Sequence, residues 1–406
     1  MILNSILKRM SSPLYAGLLG FLLAPIIQAA SLWKQEPQLA AGLRHSIYVD
    51  ARGKVYAFGD NSLGQLGVEG TYGGNDPQFP MEPKKGRVIG SGWNHVLAAT
   101  RPTWTRRPEL WVWGYGDTGQ LGIGLLLPFG FFPNYQYREP FPVLPTAAGE
   151  VRDVVQLAGG MRHSMALVSS GILWTWGGND SGQLGLGDHN VRWTPAQVKG
   201  LMVKSMAAGA SFSLALAQDN TVWAWGANEC GQLGLGDLQA RSLPARIPES
   251  RLVQIVALSA GDAFSLALDA NGSVYAWGSG NEGQFGGCSP ENPRPMIVPG
   301  LPSIIAIAAG HRHALVLAKD GTVWAWGANE RGQLGNNDSA TYRAKPAQVT
   351  GMTGVLAIAA GGMHSLALKE NQELYAWGDN SFGELGIGET PAGFVALPVR
   401  VPFAGK

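Results

Sequence analysis

Between residues 253 and 278 the chain alternates apolar runs with turn residues. Ile255-Val256-Ala257-Leu258-Ser259-Ala260 ends in Gly261, Phe264-Ser265-Leu266-Ala267-Leu268 follows, and Asp269-Ala270-Asn271-Gly272 leads into Val274-Tyr275-Ala276-Trp277-Gly278. Short β-rich runs joined by Asn-Gly and Asp-Gly turns predict antiparallel strands. The turn recurs at Asp320-Gly321 and, as Asp219-Asn220, one copy earlier. No segment beyond the amino-terminal leader sustains a helical period.

The third run opens a motif, Trp-Gly-x-Asn-x-x-Gly-Gln-Leu-Gly, that occurs seven times at intervals near fifty residues. Its core glutamines are Gln65, Gln120, Gln183, Gln232, Gln284 and Gln333, with Glu384 in the last copy. A period of this length predicts a propeller or a solenoid. Glycine supplies positive φ for the tight turns, and Asn bonds its own backbone two residues on. The preceding aromatic is Phe58 in the first copy, then Trp113, Trp176, Trp225, Trp277, Trp326 and Trp377. Each buried ring removes about 150–250 Å² from water, an upper bound of about 4–6 kcal/mol. These rings are expected to hold the repeats together. Residues recurring in every copy serve the fold, so function is sought where the copies differ.

A Pro-x-x-Val-like strand follows most Gly-Gln-Leu-Gly loops, as at Pro195-Ala196-Gln197-Val198 and Pro346-Ala347-Gln348-Val349. The last, Pro398-Val399-Arg400-Val401, has no hairpin after it, and the first hairpin lacks one before it. The expectation is an all-β, seven-bladed propeller over residues 31–406, closed by the carboxyl-terminal strand pairing into the first blade. Together with Ala-Ala-Gly-x-x-His-Ser-Leu-Ala-Leu, these motifs resemble the regulator of chromosome condensation repeat over about residues 40–402. The resemblance implies the seven-bladed fold. It is less specific for function: members include a nuclear exchange factor for a small GTPase, a plant ultraviolet sensor and secreted bacterial inhibitors of β-lactamase.

Charge is near balance. Residues 1–30 carry only Lys8 and Arg9, and without them the 30 basic residues fall to 28 against 29 acidic. No basic stripe points to nucleic acid. Lys8 and Arg9, the apolar residues 14–27 and Gln28-Ala29-Ala30-Ser31 read as an export signal. An uncleaved anchor over residues 14–27 is the alternative, close to the lower length limit for a span. The expected location is therefore periplasmic or extracellular, with membrane contact only through an uncleaved leader. Cys230 and Cys288 lie in neighbouring repeats. Export permits a disulfide, but nothing in the spacing fixes their separation, and they are read as unrelated thiols.

Candidate chemistry is sparse. Gly114-Tyr115-Gly116-Asp117-Thr118-Gly119 and Gly278-Ser279-Gly280-Asn281-Glu282-Gly283 match the dinucleotide fingerprint, but they are repeat loops without the helix that faces a phosphate. His45, His95, His163, His313 and His364 share one repeat position, which holds Phe212 and Phe264 in the other two copies. A metal ligand does not exchange with Phe, so packing or a backbone hydrogen bond is expected there. His311 and His313 are spaced for one strand face but have no acidic or Cys partner nearby in sequence. No nucleophile elbow or phosphate loop is present. The reading is no catalytic residue, no cofactor and no metal.

The copies differ most near the start. The second hairpin is extended through Trp104, Arg106 and Arg107, residue types enriched at binding hot spots. After the second Gly-Gln-Leu-Gly comes an apolar insertion bearing Phe129, Phe131, Phe132, Tyr135 and Tyr137. Residues 70–83 are polar and rich in Gly and Pro, and read as a flexible loop. The expected function is an exported, non-enzymatic, monomeric propeller that binds an unidentified protein through these eight residues. Nucleotide exchange on a small GTPase is the runner-up, implied by the family resemblance alone. An enzyme using the central channel is a third reading, which the His/Phe mixture does not favour.

Overall fold

The computed structural model describes residues 37–70, 73–78, 88–100, 110–124, 136–145, 149–248, 252–280, 283, 293–388, 390 and 393–403. Seven four-stranded antiparallel sheets carry the expected seven-bladed propeller. In each blade the strands follow chain order from the axis outward. Blade 4 is typical, with an inner strand Val203–Ala208, a second Phe212–Ala217, a third Val222–Gly226 and an outer Arg241–Arg246. Among the described residues no helix is long and apolar enough to cross a membrane.

The turns explain the recurring Asp-Gly and Asp-Asn pairs. The Asp219 carboxylate accepts the Thr221 N–H at 3.0 Å, and Asp269 does the same for Ser273 at 2.8 Å. The left-handed position between them is filled by Asn220 (φ 69°) and Gly272 (φ 87°), which tolerate it. These hairpins define one end of the ring. The loops between inner and second strands and the Gly-Gln-Leu-Gly loops lie at the other, where Asp60 N–H bonds Arg44 O at 2.8 Å.

The closure differs from the expectation. The strand Phe394–Arg400 is the outer strand of blade 7, where Tyr375 faces Arg400 and Ala376 faces Val399. Every Pro-x-x-Val segment seen here completes the blade of the hairpin before it, as Trp174 facing Gln197 shows. Blade 1 has its own outer strand, Gly74–Gln78, inside the stretch read as a flexible loop. No strand is therefore exchanged. The carboxyl-terminal segment still meets blade 1, but by packing: the Phe403 ring lies 5.5 Å from Tyr48 and 5.0 Å from Tyr56.

A belt of backbone hydrogen bonds closes the ring instead. Around the axis each blade donates to the next: Leu43 N to Trp93 O, Trp93 N to Gly160 O, Met161 N to Ala210 O, Ala210 N to Gly261 O, Asp262 N to His311 O and His311 N to Gly361 O. Gly362 N to Gly42 O, at 2.9 Å, joins blade 7 back to blade 1. The glycine of Ala-Ala-Gly makes this approach possible. A Cβ on Gly209 would overlap the Phe212 ring, and one on Gly160 would overlap the His163 ring and the Gly209 carbonyl.

Between blades, the motif glutamine's carbonyl is the acceptor. It takes the indole N–H of the next blade's Trp, as in Trp176 to Gln120 (2.9 Å), Trp225 to Gln183 (2.8 Å) and Trp377 to Gln333 (2.9 Å). It also takes a Ser hydroxyl from that blade: Ser164 to Gln120 at 2.7 Å and Ser213 to Gln183 at 2.8 Å. The recurring His belongs to the same latch. Nε2 of His95 lies 2.8 Å from Ser164 Oγ, and Nε2 of His163 lies 3.1 Å from Ser213 Oγ. Because the Ser proton goes to the carbonyl, the imidazole must carry its proton on Nε2 and donate it. Its Nδ1 is left buried without a partner. The role is structural, as expected, although the partner is a side-chain hydroxyl. Where Phe264 replaces His in blade 5, Ala314 replaces the Ser of blade 6.

The junction of blades 7 and 1 departs from the others. Phe58 stands in place of the tryptophan, and the loop before it carries Glu384 in place of glutamine. Ser46 still donates to the Glu384 carbonyl at 2.7 Å. The Glu384 side chain is 1% exposed and accepts the Phe382 N–H at 2.8 Å. Burial, reinforced by Asp379, pushes its pKa up to about 7 against the opposing pull of backbone N–H groups and Arg44. A raised carboxylate pKa means that the native state holds the proton more tightly than the unfolded chain, so stability falls as pH rises from about 4.5 through about 7. Glu384→Gln restores the residue of the other repeats. It is expected to stabilise the fold by about 3 kcal/mol at pH 8 and by almost nothing near pH 4.5, read from urea unfolding at the two pH values.

Candidate binding site at the axial mouth

The belt that closes the ring also fixes where the repeats diverge. In each Ala-Ala-Gly-x-x-His loop, the residue after glycine has its backbone in the belt at the mouth of the axial channel. Around the ring this position reads Leu43, Trp93, Met161, Ala210, Asp262, His311 and Gly362. Leu43, Trp93, Asp262 and His311 line the cavity at this end of the axis.

Three of these side chains meet across the opening. The Trp93 indole of blade 2 packs edge-on against the His311 ring of blade 6, with centroids 4.7 Å apart and planes at 87°. Asp262 of blade 5 brings Oδ2 to 3.2 Å from His311 Nε2, an ion-pair distance without hydrogen-bond alignment. The contact therefore spans blades on opposite sides of the ring and narrows the channel. Arg44, Arg162 and Arg312 stand exposed around it. The Arg44 guanidinium lies 4.2 Å above the Phe382 ring, and Arg162 reaches to 3.8 Å from Asp117. Trp and Arg on a rigid frame are residue types that concentrate binding energy. Among the described residues no group of three or more His, Cys, Asp or Glu is placed to hold a metal.

This cluster escaped the sequence reading, although its signal was present. The position after Ala-Ala-Gly varies more in chemical type than its neighbours do, and only the ring shows that Leu43, Trp93, Asp262 and His311 face one opening. His311 and His313 do not share a face. His311 sits in the loop at the mouth, whereas His313 starts a strand and bonds Ser365 at 2.9 Å between blades.

The expected contact residues are placed only in part. Trp104, Arg106, Arg107, Phe129, Phe131, Phe132 and Tyr135 lie outside the described residues. The strands flanking them are described, and they separate the two groups. The connection bearing Trp104 joins His95–Ala99 to Leu110–Tyr115 at the hairpin end, and the one bearing Phe131 leaves Leu110–Tyr115 at the loop end. The two stretches therefore leave blade 2 from opposite ends. Tyr137 belongs to the outer strand, half-buried, with its ring 6.2 Å from Phe141 and packed on the core shared by blades 2 and 3. Burial raises its hydroxyl pKa.

Cys230 is disulfide-bonded, which corrects the expectation of unrelated thiols. Cys288, the only other cysteine in the chain, lies outside the described residues.

Comparison with known proteins agrees with the architecture. The regulator of chromosome condensation (RCC1) repeat matches at residues 52–99, 109–167 and 170–216, and the RCC1-like domain matches residues 203–406. The human E3 ubiquitin-protein ligase HERC2 is 33% identical over 368 residues, covering 87% of this chain and 6% of HERC2. This chain thus corresponds to a small part of that relative's length. Human WBSCR16 superimposes with a TM-score of 0.75 at 24% identity, over 87% of this chain and 95% of that one. Yeast RCC1 (Prp20), solved bound to Kap60, gives 0.71 at 22% identity, over 91% of this chain and 85% of that one. At these identities the two structures establish the shared fold. With repeat matches along its length, a domain match over its carboxyl-terminal half and a seven-bladed ring, the chain belongs to the regulator of chromosome condensation repeat family.

Proposed function

We propose that this protein is an exported, non-enzymatic propeller that binds another protein through the loop end of its ring. The observation that carries the reading is the Trp93–His311–Asp262 cluster, set among exposed arginines on loops locked by the backbone belt. The repeated histidines and serines are consumed by the latches between blades, so the non-repeating side chains at the mouth are the ones that would meet a ligand. The expected contacts Phe129, Phe131, Phe132 and Tyr135 follow in sequence after Gly124, whose N–H bonds Trp193 O at the same end. The disulfide at Cys230 supports an oxidising compartment. Retention by residues 14–27 is the anchored form of the same reading.

The test is photo-cross-linking from position 93 in secreted and membrane fractions of the source cells, followed by affinity measurement on the captured protein. Trp93→Ala is expected to weaken binding by about 30-fold or more, as for a hot-spot aromatic. Unchanged affinity would remove the mouth from the interface. Within the family, exchange on a small GTPase is the other activity to measure. Accelerated nucleotide release would favour it, whereas an oxidised Cys230 weighs against a reducing cytosol.

A further inference from the structure

The opposite end of the ring carries a second repeated device. In blades 3 to 7 the inner strand begins with a β-bulge at one fixed position, which skips Val155, Lys204, Val256, Ile305 and Leu356 in the pairing with the second strand. A bulge leaves its extra residue unpaired and re-aims its side chain. Four of the five are aliphatic and stand in the open: Val155 is 44% exposed, Val256 53%, Ile305 54% and Leu356 50%. The residues that follow them on the same strands line the axial channel. The bulges therefore crown the channel's hairpin-end rim. Met202 and Val253, in the linkers just before two of these strands, add to the same exposed apolar surface.

The chain enters the propeller at this end. Gln38 opens the inner strand of blade 1 and pairs with Val49, next to the hairpin in which Asp50 N–H bonds Lys54 O. The apolar residues 14–27 are separated from Pro37 by a stretch whose extended length is at most roughly 35 Å. A segment of that kind held in a membrane would bring the rim to the lipid at high effective concentration.

We propose that the hairpin end of the ring lies against a lipid bilayer, with Val155, Val256, Ile305 and Leu356 entering the boundary between headgroups and acyl chains. The inference rests on the anchored form of the location proposed above. The chemistry of the rim fits lipid better than protein. It is aliphatic and repeats around the axis, whereas protein hot spots draw on Trp, Tyr and Arg, and at the mouth on the other side Trp93 stands among Arg44, Arg162 and Arg312. Lys204 occupies the remaining bulge, in blade 4, where its ammonium donates to Asn220 Oδ1 at the hairpin tip; on its long stem it would exchange that partner for headgroup phosphates. The nearby carboxylates of Asp219 and Asp320 are engaged by Thr221 and Thr322. The loop end would then face away from the membrane, open to a soluble partner.

The test uses the full chain reconstituted in vesicles of phosphatidylcholine and phosphatidylglycerol. An environment-sensitive dye is attached in turn to Ile305→Cys at the rim, Arg312→Cys at the mouth and Leu18→Cys in the leader. The rim and leader dyes are expected to shift to the blue and to be quenched by brominated lipid, while the mouth dye stays solvent-like. Replacing Val256 and Leu356 by Ser should abolish quenching at Ile305→Cys without lowering the thermal midpoint. A solvent-like rim dye beside a quenched leader dye would overturn the rim proposal and leave the anchor intact. Failure of the leader dye as well would overturn the anchored reading itself. A rim dye already shielded without vesicles would overturn the proposal in favour of coverage by protein. None of these outcomes depends on the partner at Trp93.

Discussion

Acidifying the protein from about pH 7.5 to about pH 5.5 is expected to destabilise it by about 5 kcal/mol. The cause is the set of five interblade histidines. Burial pushes His45, His95, His313 and His364 down to about 3 and His163 to about 4, from an ordinary value of 6.5. Each donates through Nε2 to a serine hydroxyl, and protonating Nδ1 would place a charged N–H where no acceptor is available. A depressed histidine pKa means that the unfolded chain takes up protons the native state refuses. Stability is then full above about pH 6.5 and is lost as pH falls below it. One pH unit below the unfolded value, each histidine costs about 1.4 kcal/mol, or about 7 kcal/mol for five. Glu384 titrates with the opposite sign and returns about 2 kcal/mol over the same interval. Urea unfolding at several pH values measures the slope directly.

The molecule supplies its own control. Blades 5 and 6 already join through Phe264 and Ala314. His163→Phe combined with Ser213→Ala copies that junction, and should fold while flattening the acid limb by about one histidine's share. A slope unchanged by this pair would sink the account of the latch.

Trp377→Ala should cost about 3–5 kcal/mol, the range for deleting a large buried aromatic. Trp377 is fully buried, packs on Leu334, Val349 and Val355, and donates its indole N–H to the Gln333 carbonyl. Trp377→Phe separates the two contributions. It keeps a ring, as Phe58 does at the junction of blades 7 and 1, and removes the hydrogen bond together with a third of the ring atoms. The Gln333 carbonyl retains the Ser365 hydroxyl at 2.8 Å, so the hydrogen bond should account for about 1 kcal/mol and the lost ring atoms for about as much again, still below the loss in Trp377→Ala. Urea midpoints for the two variants decide the matter. Equal losses would mean that the indole bond, rather than packing, dominates the interface between blades 6 and 7.

Much of this fold was legible because each repeat states its turns and its aromatic positions in sequence. The number of blades, the burial of Trp113 to Trp377 and the structural role of the histidines all follow from local pattern. The closure was misread for a physical reason. A Pro-x-x-Val strand reads the same whether it ends one blade or begins the next, and only pairing such as Trp174 with Gln197 assigns it. The outer strand Gly74–Gln78 was hidden because Pro77 and its polar neighbours suit an edge strand as well as a loop. The mouth was illegible for a different reason. Trp93, Asp262 and His311 come from blades 2, 5 and 6, and their meeting is a property of the circle, which no local window contains.

Because every sheet is built from consecutive residues, each blade is complete as soon as its fourth strand has been synthesised. A ribosome would release finished sheets one at a time, and no early strand has to wait, unpaired, for a distant partner. Lateral docking alone is deferred until the last sheet meets the first. Folding of this ring should therefore resemble the laying of successive panels more than the tying of a knot.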